Sequence, residues 1–460
     1  MLSYAKARLL ACLPSRLPHA SPRLRADASS IFVLALPLVL SNFAQSGILI
    51  VDSMLMGQLG AQALAGGALG LSAFYLCYTL SFGVVSASGN LVALAHGAGR
   101  RRDVVAAARA GMLVAVGMAL LMGTLLWNVK PLMLLLGQDP AIAETAQGFL
   151  RLLVWGMPFG LLFLALRSFS TGVGRPGPVP FITGSALLLS AALGWVLSQW
   201  LGVYGVALSS ALVYLYMGLS FAWVVARHPS FRRYPLFAGF TRRDLATLRP
   251  LWALGLPSAG SLGLESGLFN ACTWLMGALG AAQLAAHQGM MQLVIASFMV
   301  PLGLLYATSM RVGQAAGAGD HDRVLSLGRT GQGLALAWTA LTAVVMLLWG
   351  ESLIRLFLPD GRPGVEAARA VALTLVPLAA LVCMLDGWQS VAGGALRALS
   401  DARATMVINA LGFWGVGFAL AWGLSRGGLG AAGVWMGMAG GLLVTSLLLY
   451  FRFERLARRY

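Results

Sequence analysis

Charge is scarce in this sequence: Asp, Glu, Lys and Arg make up 10% of its 460 residues, where a soluble globular domain carries about 25%. So few charges cannot clothe a water-exposed surface, which excludes a soluble enzyme or binding domain. Acids are scarcest, 15 against 32 basic residues, and lysine occurs only as Lys6 and Lys130. The four cysteines, Cys12, Cys77, Cys272 and Cys383, lie too far apart for a metal knuckle and are too few for a disulfide scaffold. There is no Walker loop, no dinucleotide fingerprint after a strand, no HExxH and no nucleophile elbow. Those absences point away from an enzyme and place the energy source elsewhere than ATP on this chain. The apolar run 9–13 is shorter than the ~7–15 residues of a secretory signal, so the first long apolar segment, from Ile31, is expected to direct insertion itself.

What is present is apolar: 58% of residues are hydrophobic. They recur in stretches of about twenty or more separated by short polar breaks, the pattern of membrane-spanning helices. Twelve spans are expected, near 30–56, 63–93, 104–127, 141–170, 179–200, 203–226, 250–276, 283–315, 324–349, 366–397, 404–424 and 429–451. The net charge of +17 would suit nucleic acid if it lay on one face of a soluble scaffold. These arginines instead fall between apolar spans, so the expected partner is the lipid bilayer and not nucleic acid.

The spans come as two copies of one plan. A shift of 220 residues lays LALPLVLSNFAQSGILIVDSMLMGQLGAQALA, from Leu34, over LGLPSAGSLGLESGLFNACTWLMGALGAAQLA, from Leu254, with thirteen of thirty positions identical over 36–65. The same offset pairs Gly97, Gly99, Arg109 and Gly111 with Gly317, Gly319, Arg329 and Gly331, and a slightly different one pairs Pro158 with Pro377. The fold class is therefore an all-α integral membrane protein of two six-helix bundles related by internal duplication. With six spans each, both halves enter from the same side, as parallel repeats about an axis along the membrane normal with a cavity between them.

The organisation expected is a basic tail over 1–29, a first bundle over 30–226, an arginine-rich linker over 227–249, a second bundle over 250–451 and a basic tail over 452–460. The first tail has a charge balance that an organellar transit peptide shares; a cytoplasmic tail is the simpler reading. Arg100 to Arg102, Arg175, the linker, Arg311, Arg323, Arg397, Arg403 and the last tail share the side of the termini, against Lys130, Arg355, Arg362 and Arg426 opposite. The positive-inside rule then makes both termini cytoplasmic.

Twelve of the fifteen acids fall in loops, tails or span ends, leaving Asp52 in span 1, Glu265 in span 7 and Asp386 in span 10. A mid-membrane carboxylate costs about 2.5–3.5 kcal/mol on insertion scales and marks a cavity, a cation partner or an ion pathway. The duplication does not repeat these acids: Glu265 matches Gln45, Asp52 matches Cys272, and the proline alignment sets Asp386 against Arg167. Packing of the repeated fold does not demand them, which favours a chemical role. Asp386 and Gln389, three apart, share a helix face, while Asp52 lies about a turn from its span end, where it could also cap or snorkel. His96 and His287 near span ends are expected to be ordinary hydrogen-bonded histidines. Pro37, Pro158, Pro257, Pro301 and Pro377 interrupt spans and free backbone groups for kinks or a hinge.

The stretches LPLVLSNFAQSGILIVDSMLMGQLG, LGLPSAGSLGLESGLFN, AAHQGMMQLVIASFMVPLGLLYATSMRVGQAAGAG and MLDGWQSVAGGALRALSDAR together resemble the multidrug and toxic compound extrusion (MATE) family, in particular its bacterial NorM-like branch, from about 30 to 450. The resemblance implies a V-shaped pair of bundles in the bacterial inner membrane that rock between inward-open and outward-open states, exchanging Na+ or H+ for small organic cations. It carries the family's membrane acids onto Asp52, Glu265 and Asp386 as coupling-ion ligands. Gln45, Asn270, Gln288, Tyr306 and Gln389 are the expected substrate-cavity residues, with Phe269 and Trp388 as apolar wall. No cofactor is expected beyond the coupling ion, and a monomer is expected. Val382 stands one turn before Asp386, where sodium-coupled members carry a tyrosine, and span 5 lacks the Asp or Asn of a proton-coupled branch, so the ion stays open between sodium and proton. A flippase of lipid-linked or sugar substrates would want a strongly cationic cavity, and Arg167 is the one cation that stands out within the spans; a channel is the remaining rival.

Overall fold

The computed structural model describes residues 22–239, 241–357 and 365–459. Lys6, Arg8, Arg16 and Cys12 of the expected tail, and Arg362, lie outside them. Among the described residues the chain is helical, without a strand. The long helices are α1 (Pro22–Gln58), α2 (Ala61–Gly97), α3 (Arg101–Trp127), α4 (Pro140–Gly172, with a 3-10 turn at Val154–Gly156), α5 (Pro178–Leu201), α6 (Val203–Arg227), α7 (Arg242–Leu279), α8 (Ala281–Gly317), α9 (His321–Phe357) and α10 (Val365–Ala398). The eleventh, α11, joins Ala402–Asn409, the π-helical Ala410–Phe418 and Ala419–Leu424, and α12 is Gly430–Ala457.

Ten helical runs are long and apolar enough to cross a bilayer. The last of them, Ala402–Ala457, is two crossings, because Gly428 (φ 98°) and Gly430 (φ 51°) turn the chain and α12 packs back against α11. The twelfth is α7, whose 38 residues carry three arginines near the start and a polar middle around Glu265, which dilutes its apolar character. Helix ends outrun the expected spans: α1 starts at Pro22 inside the expected tail, α7 at Arg242 inside the expected linker, and α12 continues to Ala457.

The bundles are not simply juxtaposed. The start of α1 packs into the second bundle, with Ile31, Leu34 and Ala35 among Leu304, Met310, Leu327 and Leu396, while its later part packs on α5. The start of α7 packs likewise into the first bundle, with Leu251 and Ala259 in the core built around Phe149, Phe163 and Phe221. Each half therefore roots its first helix in the other half, and Pro37 and Pro257, equivalent in the repeat, lie in these crossing stretches. A helix-interior proline removes one hydrogen bond and bends the helix, which suits a helix that leaves one bundle for another.

Glycines set the depth of the crossing. A Cβ on Gly97 would stand 1.9 Å from the Gln314 carbonyl oxygen, and one on Gly317 would stand 2.0 Å from the Leu94 carbonyl oxygen. These contacts are the same contact seen from the two repeats, and a second such pair joins Gly83 to Ala259 and Gly303 to Val39. Contacts between the bundles run from mid-helix, where the Ser46 hydroxyl meets the Met299 sulfur and Gly263 faces Leu80, to this crossing at the terminus-bearing end. In lipid, where apolar burial gives no advantage, small residues that admit backbone-to-backbone packing supply the association.

The duplicated arginines show how one position serves two connections. Arg109 on α3 donates to the Pro235, Leu236 and Gly239 carbonyls and to Asp244, all at 3.2 Å or less, so it holds the segment between the bundles. Arg329, its repeat partner on α9, makes two bonds of 2.6 Å to Glu454 near the end of α12. The Arg109–Asp244 pair is buried (side chains 5% and 2% exposed), whereas Arg329 is 48% exposed. Arg109→Ala is expected to cost about 3–5 kcal/mol, since both partners of that pair are buried, and Arg329→Ala less, since Arg329 is half-exposed and Arg458 also reaches Glu454. Thermal unfolding of the two purified variants in detergent checks this; equal shifts in Tm would overturn it.

Candidate functional site

The two bundles enclose a cleft of about 350 Å³, within the range of drug-sized ligand sites. Each wall helix presents one stripe of residues at helical spacing: Asn42, Gln45, Ser46 and Leu49 from α1; Tyr75, Tyr78, Phe82, Ser86 and Asn90 from α2; Glu265 from α7; Leu302, Tyr306 and Ser309 from α8. Arg167 on α4, Tyr214 on α6 and Gln389, Ser390 and Arg397 on α10 complete it. The crossing of α2 and α8 closes the terminus-bearing end, so the cleft widens toward the opposite side.

The three membrane acids occupy three different environments. Glu265 is half-buried on the cleft wall, and its side chain has no hydrogen bond or ion pair to another described residue. Asp386 is 4% exposed and does not line the cleft; its Oδ1 lacks any partner among the described residues, and Glu265 is within its electrostatic reach. A carboxylate buried without a donor needs a cation or a proton to offset its charge. Asp52 is buried between α1, α5 and α6, where it accepts from Ser210 Oγ at 2.8 Å and from Ser190 Oγ at 3.5 Å. It is neither a cap nor a snorkelling end residue, and it does not line the cleft; Tyr75 and Tyr214, which do, lie within its electrostatic reach.

Of the expected cavity residues, Gln45, Tyr306 and Gln389 line the cleft. Gln45 Nε2 donates to the Ser41 carbonyl and hydroxyl, both at 3.2 Å, and Gln389 Oε1 accepts from Ser390 Oγ at 3.0 Å. Asn270 and Gln288 do not line it: both are exposed, and Asn270 Nδ2 is bonded to the Ser266 carbonyl one turn back. Phe269 and Trp388 pack into the second bundle's core, with Trp388 Nε1 donating to Gln332. His287 is buried, bonded to Thr273 and edge-on to Trp435, an ordinary core histidine, and His96 Nδ1 meets the Tyr234 hydroxyl at 3.1 Å.

The cations were under-read in the sequence. Arg167 is buried in the cleft wall, donating to Asn42 Oδ1 at 2.9 Å with its guanidinium 5.4 Å from the centre of the Tyr306 ring. Arg397, expected in a loop, also lines the cleft and lies within electrostatic reach of Glu265 and Tyr306. Its position was signalled by spacing: residue 397 follows 386 by eleven, three helical turns, which puts it on the face of Asp386 and Gln389.

Comparison with known proteins decides the family. The MatE family model matches this chain twice, over residues 37–196 and 257–422, two segments that begin 220 residues apart. The chain belongs to the MatE family. Proteins named "Probable multidrug resistance protein NorM" are 38% identical in Pseudomonas syringae pv. tomato, over 92% of this chain and 94% of the relative, and 36% identical in Mesorhizobium japonicum, over 94% of each. Among solved structures, a mutant of the Vibrio cholerae MATE transporter VcmN superposes with a TM-score of 0.87 at 16% identity, covering 96% of this chain and 99% of that one. The eukaryotic MATE transporter AtDTX14 gives 0.85 at 19%, covering 95% and 98%. A MATE fold of two duplicated six-helix bundles thus holds this cleft.

The geometry separates water-filled from packed positions within the MatE fold. In a variant whose native cysteines are replaced, Gln45→Cys is expected to react with a membrane-impermeant maleimide at least about tenfold faster than Asp52→Cys, since thiol reaction requires access. Equal rates would show that the cleft does not stop at the tyrosine layer.

Proposed function

We propose that this chain is a multidrug efflux carrier of the bacterial inner membrane, working as a monomer with both termini cytoplasmic and exchanging Na+ or H+ for organic substrates by alternating access. The observation that carries this is a pair of carboxylates in the second bundle, Glu265 open to the cleft and Asp386 buried without a partner at Oδ1. A cation arriving from the open side meets Glu265 first and offsets the charge of both carboxylates. An organic cation held by the same wall competes for that charge, and the competition couples the two fluxes.

Orientation follows from the arginines. Arg100, Arg101, Arg102, Arg175, Arg232, Arg233, Arg243, Arg311, Arg323, Arg403, Arg455 and Arg458 all fall at the end of the fold that carries the termini, which the positive-inside rule assigns to the cytoplasm. The cleft then faces outward, and closure of its inner end suits a carrier better than a pore. The relatives named for multidrug resistance support the same reading. A flippase of lipid-linked substrates is the second reading, favoured by Arg167 and Arg397 in the wall.

Proteoliposomes loaded with a fluorescent organic cation test the exchange when sodium and proton gradients are imposed separately. Efflux is expected to follow one gradient and to fall at least about tenfold in Glu265→Gln and Asp386→Asn, the scale of losing one charge-assisted contact. Flux that ignores both gradients and survives both substitutions would overturn the carrier.

A further inference from the structure

We propose that the cleft contains an anion subsite, centred on Arg397 and flanked by Arg167, which selects substrates carrying a carboxylate on an aromatic body. This inference rests on the transporter reading of the same cleft but makes a separate claim about what is bound there.

The charged side chains lining the cleft are Arg167, Arg397 and Glu265, two cations against one acid. A site shaped for cations alone would show the opposite balance. The two arginines are not equivalent. Arg167 is held in place by Asn42 on one side and the Tyr306 ring on the other. Arg397 is half-buried, and its side chain makes no hydrogen bond or ion pair with another described residue. Glu265 lies within its electrostatic reach yet does not close a salt bridge with it. A guanidinium and a carboxylate that share a low-dielectric wall and remain apart leave both sets of polar atoms open to a ligand.

Tyr306 lines the cleft together with both arginines, and the Arg167 guanidinium stands 5.4 Å from the centre of its ring. Phe82 meets that ring edge-on, with centroids 6.1 Å apart. A planar substrate can therefore stack against the aromatic wall while its carboxylate accepts from Arg397, whose planar fork matches a carboxylate in two-point geometry. A positive group on the same substrate falls toward Glu265. The alternative role for Arg397 is a built-in counter-ion for Glu265 and Asp386, which would leave no preference for a carboxylate on the ligand.

Tetramethylrhodamine and its methyl ester make a matched probe pair, sharing one ring system and differing in whether the carboxylate is free. Binding to the purified full-length protein is read by fluorescence anisotropy, and export of both dyes is read in vesicles under an ion gradient. The wild type is expected to bind the acid about tenfold or more tightly than the ester, the scale of one charge-assisted hydrogen bond. Arg397→Gln should bring that ratio toward one, Arg167→Gln should lower it, and Arg397→Lys should keep most of it. A wild-type ratio near one, or equal weakening of both dyes in Arg397→Gln, overturns the subsite in favour of the counter-ion role. The wild-type ratio decides the matter even where a variant fails to fold. Gradient-driven export of the ester with a ratio near one removes the subsite and keeps the carrier. A high ratio with no gradient-driven movement of either dye keeps the subsite and removes the carrier.

Discussion

The backbone contact between α2 and α8 at Gly97 and Gly317 is the constraint on which the rest of the molecule depends. No side chain larger than hydrogen fits between Gly97 and Gln314, or between Gly317 and Leu94, so the two helices approach as closely as helices can. This seals one end of the space between the bundles. Because α1 and α7 each begin in the other bundle, the same end is also where the halves are interwoven. The cleft can therefore widen only away from it, and Glu265, Arg397 and Arg167 line the space on that side. Under the alternating access proposed above, exposure to the other side would require relief of this contact. Pro37 and Pro257 place bendable points in the two helices that span the join.

Duplication supplied the frame and left the chemistry to diverge. Where helices pack closely, equivalent residues make equivalent contacts: between the repeats, Gly83 on Ala259 and Gly303 on Val39, and within each repeat, Gly111 on Ser88 and Gly331 on Thr308. Away from the axis they part. Arg109 and Arg329 are equivalent, yet one holds a buried connection between bundles and the other a half-exposed chain end. Asp52 gives way to Cys272 and Glu265 to Gln45, so the second bundle carries an acid on the cleft wall where the first carries an amide. Close packing tolerates few alternatives, whereas a position facing water or a ligand tolerates many, and this difference separates conserved frame from divergent site within one chain.

Much of the frame could be read directly because its signals are local or periodic. Apolar stretches located the spans, and the 220-residue offset located the halves, which the family match later split at the same interval. The boundaries were less legible, since α1, α7 and α12 run on past the apolar core into arginine-bearing segments, and hydropathy does not register a helix that continues beyond the bilayer. The site was legible where a residue is costly: Glu265 and Asp386 stood out because charge in lipid needs a reason. Asn270 and Gln288 were misplaced because a polar residue in a span does not disclose which way it faces. Arg397 was misassigned for the converse reason. Its place near a helix end suggested a loop cation, while its side chain lines the cleft about two turns beyond Gln389.

The three carboxylates also show why position in the fold, not residue type, decides the work each can do. Asp52 has hydroxyl donors from two helices and a tyrosine layer between it and the cleft, so its charge is already partly met by the protein. Asp386 has an oxygen with no donor, and Glu265 has a water-facing surface but no partner. The second pair thus carries carboxylate oxygens that no described hydrogen-bond donor meets. Under the proposed exchange, a cation that reaches that pair comes from the open side, and each charge carried inward down a potential of about 100 mV would release about 2.3 kcal/mol.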